Sequence, residues 1–299
     1  MLKFLKKVGF IVIGFLLLSY LISHASLWSL RQSQFYKPTF LTNGVPQTQF
    51  DYIVLGASTG LTTLNTQTID SVLHTTGLNL SVDDTSLPNQ YLMLQHFIAT
   101  GKRTDFCILA PNPKNYNTLE HTLSDNDYRF LMYAHRPYVH DYYSQFKGTR
   151  AAILQYSSWM PTLGVSYYNA EVFYPSLLSL LQPNKHNRFD DLGNYSYPDR
   201  AFVDAPISQF QDTDLTFKNS YLEKIKALCD LHGITMICYI SPMKGLKADV
   251  GSADYTIINH SDLLKNSGYF HDGIHVNTIG RAQASVVFAR DFKSYLGIN

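Results

Sequence analysis

The pattern of apolar and polar positions divides the chain into three parts. At the start, Lys3, Lys6 and Lys7 precede residues 8–30, a stretch without Asp, Glu, Lys or Arg. A helix needs roughly 20 mostly apolar residues to cross a bilayer. Residues 1–30 therefore read as an N-terminal membrane anchor, bound to the lipid bilayer through 8–30. The lysines keep its start in the cytoplasm, so the rest of the chain is extracytoplasmic. The alternative is a signal peptide, with Ser23-His24-Ala25 as a small-residue cleavage site and a secreted product. Residues 31–49, with Pro38, Gly44 and Pro46, read as a polar linker.

Beyond the linker, short apolar runs alternate with helical patterns. Strands are expected at 50–55, 78–82, 105–110 and 234–240. Helices are expected from near Thr66, over 88–100 and over 215–232, where Gly233 gives a C-terminal stop. Pro111-Asn112-Pro113 cannot continue a ladder and ends the third strand. Asn277 is placed to cap a last helix with Ile279, Ala282, Val286, Ala289 and Phe292 on one face. Residues 114–214 break the alternation, being rich in Tyr, His, Asn and Pro. They read as an insertion into a folded domain spanning 50–299, with helices at 151–159 and 170–181. Strands separated by helices predict an α/β fold with a parallel sheet covered on both faces. In such sheets ligands bind beyond the C-terminal strand ends. Ser58, Asn112 and Pro242 lie at such ends.

Composition narrows the classes. A 45% hydrophobic chain of 299 residues can bury a large core. Its formal net charge of +1 gives no electrostatic case for nucleic-acid binding. The 21 tyrosines suit a core and also a sugar-stacking groove. Cys107, Cys229 and Cys238 sit in apolar runs, as buried free thiols do. His135 and the His140-Asp141 pair lack the spacing and further ligands of a metal site, so no metal or other cofactor is expected.

Two short motifs carry chemistry. Ser58 ends an apolar run in Gly56-Ala57-Ser58-Thr59-Gly60, where a strand can deliver a hydroxyl into a tight turn. The same stretch matches neither phosphate-binding glycine pattern. Near the other end, Asp272-Gly273-Ile274-His275 sets a carboxylate three residues before an imidazole. Such a pair can form the base half of a Ser-His-Asp site. Each motif alone also reads as an ordinary turn or helix-entry sequence.

Together, Ser58 after the first strand and Asp272-x-x-His275 before the last helix resemble the SGNH/GDSL hydrolase superfamily. The continuation Asn277-Thr278-Ile279-Gly280 is similar too, and the resemblance spans 50–112 and 215–296. It implies a three-layer α/β/α sandwich with a mostly parallel, flavodoxin-like sheet. It also implies catalysis by Ser58, Asp272 and His275 through an acyl-serine. The implied oxyanion donors are the Ser58 backbone N–H and Asn112, which otherwise reads as a Pro-flanked turn residue. Where the family has a Gly after the second strand, this chain has Asn79, Asp83 and Asp84. These are candidates to bind substrate hydroxyls, with Asn79 alternatively structural. The resemblance is strongest to membrane-anchored members, the alginate-type O-acetylation proteins and the D-alanyl transfer proteins of teichoic acid modification. It implies serine-dependent acyl transfer or ester hydrolysis on a cell-envelope polysaccharide. The partners would be an acylated donor, a glycan acceptor and a multi-pass membrane acyl exporter. A non-catalytic binding or assembly protein on the same fold is the competing expectation.

Overall fold

The computed structural model describes residues 1–198, 201–251 and 254–297. The chain starts with α1 (Leu2–Gln32), α2 (Lys37–Asn43), β1 (Gln49–Gly56), α3 (Ser58–Thr63) and α4 (Thr66–Leu73). β2 (Gly77–Asn79), α5 (Leu87–Ala99) and β3 (Arg103–Ala110) follow. The middle supplies α6 (Pro137–Ser144), α7 (Thr149–Tyr156), α8 (Pro161–Tyr167) and α9 (Tyr174–Leu181). The last part contains β4 (Gln211–Leu215), α10 (Ser220–Leu231), β5 (Thr235–Ile240), β6 (Leu246–Val250), β7 (Thr256–Asn259) and α11 (Thr278–Lys293). These elements form two compact units, one of Met1–Gly44 with Asp127–Asn187, the other of Val45–Asn126 with Arg188–Asn299.

The larger unit is the α/β fold expected from the pattern. Its sheet runs β2-β1-β3-β5-β7, and every neighbouring pair is parallel. Numbering only these five strands, the order is 2-1-3-4-5, the flavodoxin-like arrangement with a switch point between the first and third. Strand periodicity decides which side chains face each layer. Tyr52, Val54, Ile108, Ile237 and Tyr239 pack with Ile69 and Leu73 of α4 and Phe288 and Phe292 of α11. On the other face α5 and α10 pack together, α5 against β1 and α10 against β5. Cys107, Cys229 and Cys238 are buried there as free thiols. β4 and β6 make a separate parallel pair.

Several boundaries differ from the pattern reading. The helix expected over 215–232 begins at Ser220, because Leu215 ends β4 and the Asn219 side chain caps the Tyr221 N–H. The buried face of α11 is Gly280, Arg281, Ala284, Ser285, Phe288, Ala289 and Phe292, whereas Ile279 and Ala282 are exposed. Small residues set that face. Ser285 Oγ donates to the Thr63 carbonyl and accepts from the Asn65 N–H. A Cβ on Gly280 would lie 2.2 Å from the Tyr269 carbonyl oxygen.

The smaller unit corrects two further readings. Residues 31–49 are not a polar linker: α1 continues to Gln32, and Lys37–Asn43 form a helix with Phe40 and Leu41 buried. The insertion is not simply part of the folded domain. Its residues 127–187 pack with α1 and α2, while 188–214 belong to the larger unit. α1 packs on α8 and α9 through Ser23, Ser26, Leu27 and Leu30, positions at helical spacing. Ser29 Oγ donates to the Ser176 carbonyl at 2.7 Å. The remainder of α1 is long and apolar enough to cross a membrane.

The start of α11 is a sensitive point. Asn277 Oδ1 accepts from the N–H groups of Ile279 and Gly280, and its Nδ2 donates to the Gly268 carbonyl. Replacing it removes a cap and leaves buried groups unpaired. Asn277→Ala is expected to cost about 2 kcal/mol or more, measured as a lowered midpoint in urea unfolding.

Candidate active site

Strand pairing brings the expected nucleophile to the sheet edge. Ala57 N–H donates to the Ala110 carbonyl at 3.3 Å, so the chain leaving β1 is held against the end of β3. Gly56 is required there, since a Cβ would meet the Ala110 oxygen at 2.2 Å. Ser58 opens α3, and as the first helical residue its backbone N–H has no intrahelical acceptor. The hydroxyl and a free N–H are thus presented at the switch point of the sheet.

The distant half arrives on the loop before α11. His275 Nε2 lies 2.8 Å from Ser58 Oγ, across 217 residues of sequence. His275 Nδ1 lies 2.8 Å from Asp272 Oδ2. The other oxygen, Asp272 Oδ1, accepts from the backbone N–H groups of Ile274 and His275 at 2.8 and 2.9 Å. The loop is closed by the His271 N–H donating to the His275 carbonyl. The Asp272 carboxylate therefore orients the ring through Nδ1 and leaves Nε2 facing the hydroxyl, as general-base chemistry requires.

Burial alone would raise the Asp272 pKa. The hydrogen bonds from the His275 ring and the two backbone N–H groups outweigh it and hold the carboxyl below its usual range. His275 is buried at 8% exposure, while the Asp272 side chain stays partly open. An ionised carboxylate is thus kept beside the imidazole, ready to stabilise it when it gains a proton.

The expected oxyanion residue Asn112 lies two positions beyond Ala110. Its Oδ1 accepts from the Lys114 N–H and caps a short 3-10 turn. The turn reading therefore holds, and the Nδ2 donors have no partner among the described residues. Asn79 is different. It is fully buried, its Nδ2 donates to the Leu64 carbonyl and its Oδ1 accepts from the Ser81 N–H. Asn79 is a structural brace between β2 and α3, which corrects its assignment to substrate binding. Asp83 and Asp84 lie on the loop after β2. Asp83 accepts from Asn126 Nδ2, and Asp84 is exposed with φ 51°. That left-handed conformation favours glycine, and it falls in the block where the resembled family has one.

Two residues went unnoticed in the sequence. Tyr197 stacks on His271 with ring centroids 4.1 Å apart and planes within 10°. It also meets the His275 ring at 5.1 Å. Burial first, then the nearby charges of Asp272, Asp83 and Asp84, push the Tyr197 hydroxyl pKa up. These carboxylates therefore lie near the Tyr197 hydroxyl, whose ring meets that of His275. His271 stood next to Asp272 and could have been noticed there. Tyr197 had no local signal, since it lies in the tyrosine-rich segment read as insertion. Among the described residues no group of three or more His, Cys, Asp or Glu side chains could hold a metal. Comparison with protein-family models and with curated proteins returns no match.

The lowered Asp272 pKa has a definite sign. Its stabilising contribution is present at neutral pH and is lost as pH falls from the usual carboxylate value of about 4 through the lowered one. Because the carboxyl is partly exposed, that contribution is expected below about 1 kcal/mol. Urea unfolding should show a small gap between parent and Asp272→Asn at neutral pH that closes on acidification. Turnover is expected to fall far more, by roughly 10⁴-fold.

Proposed function

We propose that this protein is a serine-dependent acyltransferase or esterase of the SGNH type, acting on an acylated cell-envelope polysaccharide. The observation that carries the reading is the continuous chain of two 2.8 Å contacts from Ser58 Oγ through His275 to Asp272. The flavodoxin-like strand order and the position of both halves at the strand ends support it.

In this mechanism Ser58 Oγ attacks the acyl carbonyl while His275 Nε2 takes its proton. A C–O bond forms and the carbonyl electrons move onto oxygen. The Ser58 N–H and the Asn112 amide face that oxyanion, where preorganised donors contribute most. The tetrahedral species collapses, the donor oxygen leaves with the proton from His275, and an acyl-Ser58 remains. A sugar hydroxyl or water then gives its proton to His275 and attacks the acyl carbon. Collapse returns the proton to Ser58 Oγ and releases the acylated acceptor or the free acid. The Tyr197–His271 stack beside Asp83 and Asp84 suits a sugar, offering an apolar face and hydroxyl acceptors together.

The same reading places the catalytic unit outside the cytoplasm on an uncleaved anchor. Lys3, Lys6 and Lys7 favour a cytoplasmic N-terminus. Cleavage after Ala25 would leave only Ser26 to Gln32 of α1, two turns, to hold Leu27 and Leu30 in place. An activated acyl donor would reach the site from a multi-pass exporter in the same membrane.

Hydrolysis of p-nitrophenyl acetate tests the nucleophile. The parent is expected to show turnover and stoichiometric labelling by a serine-directed phosphonate. Ser58→Ala is expected to lose labelling and to lower kcat by roughly 10⁴-fold or more. Equal turnover by parent and variant would sink the assignment and favour a binding or assembly role.

A further inference from the structure

α1 changes character near residue 23. Up to Ile22 its apolar side chains are exposed, and from Ser23 onward one stripe packs on the smaller unit. A second stripe, His24, Trp28 and Arg31, runs at the same helical spacing and does not enter the core. It forms one wall of a cleft of about 620 Å³, whose other wall includes Leu131, His135 and Pro161.

The charge in this cleft is one-sided. Arg31 is half-buried and donates Nε–H to the Met132 carbonyl at 2.9 Å, and no carboxylate of the described residues pairs with it. His135 stands close to Arg31 and Arg136. Burial and then those two charges push its pKa down. A guanidinium in a largely apolar cleft, with no acid among its described lining residues, attracts an anion, and the neutral His135 ring beside it can donate a hydrogen bond.

The depth of the cleft suggests which anion. At 1.5 Å per residue, His24 to Arg31 lie about 3 to 14 Å beyond Ile22, where the continuous run of exposed apolar residues ends. The headgroup layer of a leaflet is roughly 5–8 Å thick. His24, about 3 Å beyond Ile22, falls within it, and Trp28, at about 9 Å, lies just past its edge. Arg31 falls beyond it, with its long side chain tilted back towards the helix N-terminus. The same unit exposes Trp159, Tyr167 and Tyr174, the residue types of a membrane–water boundary. α8 and α9 pack directly on α1, so this exposed surface adjoins the span.

We propose that the cleft binds the phosphate of an anionic glycerophospholipid headgroup, with Arg31 and His135 as the phosphate donors and Trp28 flanking them. The site rests on α1 crossing the bilayer, as proposed above, and not on the acyl chemistry of Ser58.

The test uses the full chain in membranes that are first washed with carbonate, and the retained protein is then solubilised in mild detergent and studied by native mass spectrometry. Probes are phosphatidylglycerol, phosphatidylcholine and soluble glycerol phosphate. The parent is expected to retain phosphatidylglycerol preferentially. An Arg31→Gln, His135→Gln double variant is expected to retain it roughly tenfold less or worse, while Lys226→Ala in the larger unit behaves as the parent. Equal retention by double variant and parent overturns the site. Glycerol phosphate competing as well as the lipid overturns the lipid assignment. Carbonate release of the chain would remove the membrane span itself, a separate failure. A headgroup-photoreactive phosphatidylglycerol on the unmodified protein covers the case of a misfolded variant. Crosslinks at 131–136 or 157–161 support the site, and crosslinks confined to 8–22 overturn it.

Discussion

The parallel pairing of β1 with β3 is the constraint on which the site depends. It runs from Gln49 opposite Arg103 to Gly56 opposite Ala110, and the last step is tight enough to exclude any side chain at Gly56. That contact ends the strand, starts α3 and aims Ser58 across the sheet edge. The loop carrying Asp272 and His275 meets it because α11 packs on α3 and α4. A shift of one residue in the β1 register would exchange the faces of Tyr52 and Ile53 and empty the core under α11. Placement of the nucleophile and integrity of the core are therefore the same requirement.

A second histidine–carboxylate pair in the same unit shows what is particular to the first. His260 Nε2 lies 2.8 Å from Asp291 Oδ2, the same separation as in the site. Its other nitrogen lies 3.3 Å from the Tyr239 hydroxyl. Burial lowers the His260 pKa against the pull of Asp291, and burial raises that of Tyr239 far above its usual value. Neither group is poised to exchange a proton at neutral pH. His275 instead faces a serine at the start of a helix, beside the Tyr197 ring. Distance to a carboxylate is shared by both pairs; the nucleophile and access are not.

Much of this was legible in the sequence where local pattern and global fold agree. β1, β3 and β5 are buried runs of strand length, and each appears close to its expected place. Ser58, Asp272 and His275 were legible from residue type and from position relative to those strands. Asn79 was not, because only the path of α3 reveals that its amide is spent on the Leu64 carbonyl. α2 reads as polar and proline-broken, yet Pro38 occupies the first turn, where it is tolerated, and tertiary packing buries the rest. On α11 Ala289 and Phe292 are buried as the pattern predicts, whereas Ile279 and Ala282 are exposed, because Gly280 and Ser285 permit the close approach. The grouping of 127–187 with the N-terminus had no local signal at all, being a contact between segments about a hundred residues apart.

The unbroken run of α1 has a mechanical consequence. Nineteen flexible residues after a membrane span would let the following structure wander over roughly 20–25 Å. Here the span and the first buried turns of the smaller unit belong to one 31-residue helix. A rod of that length extends about 46 Å. The smaller unit therefore stands on a post and not on a leash, and any tilt of the apolar half of α1 becomes a tilt of that unit.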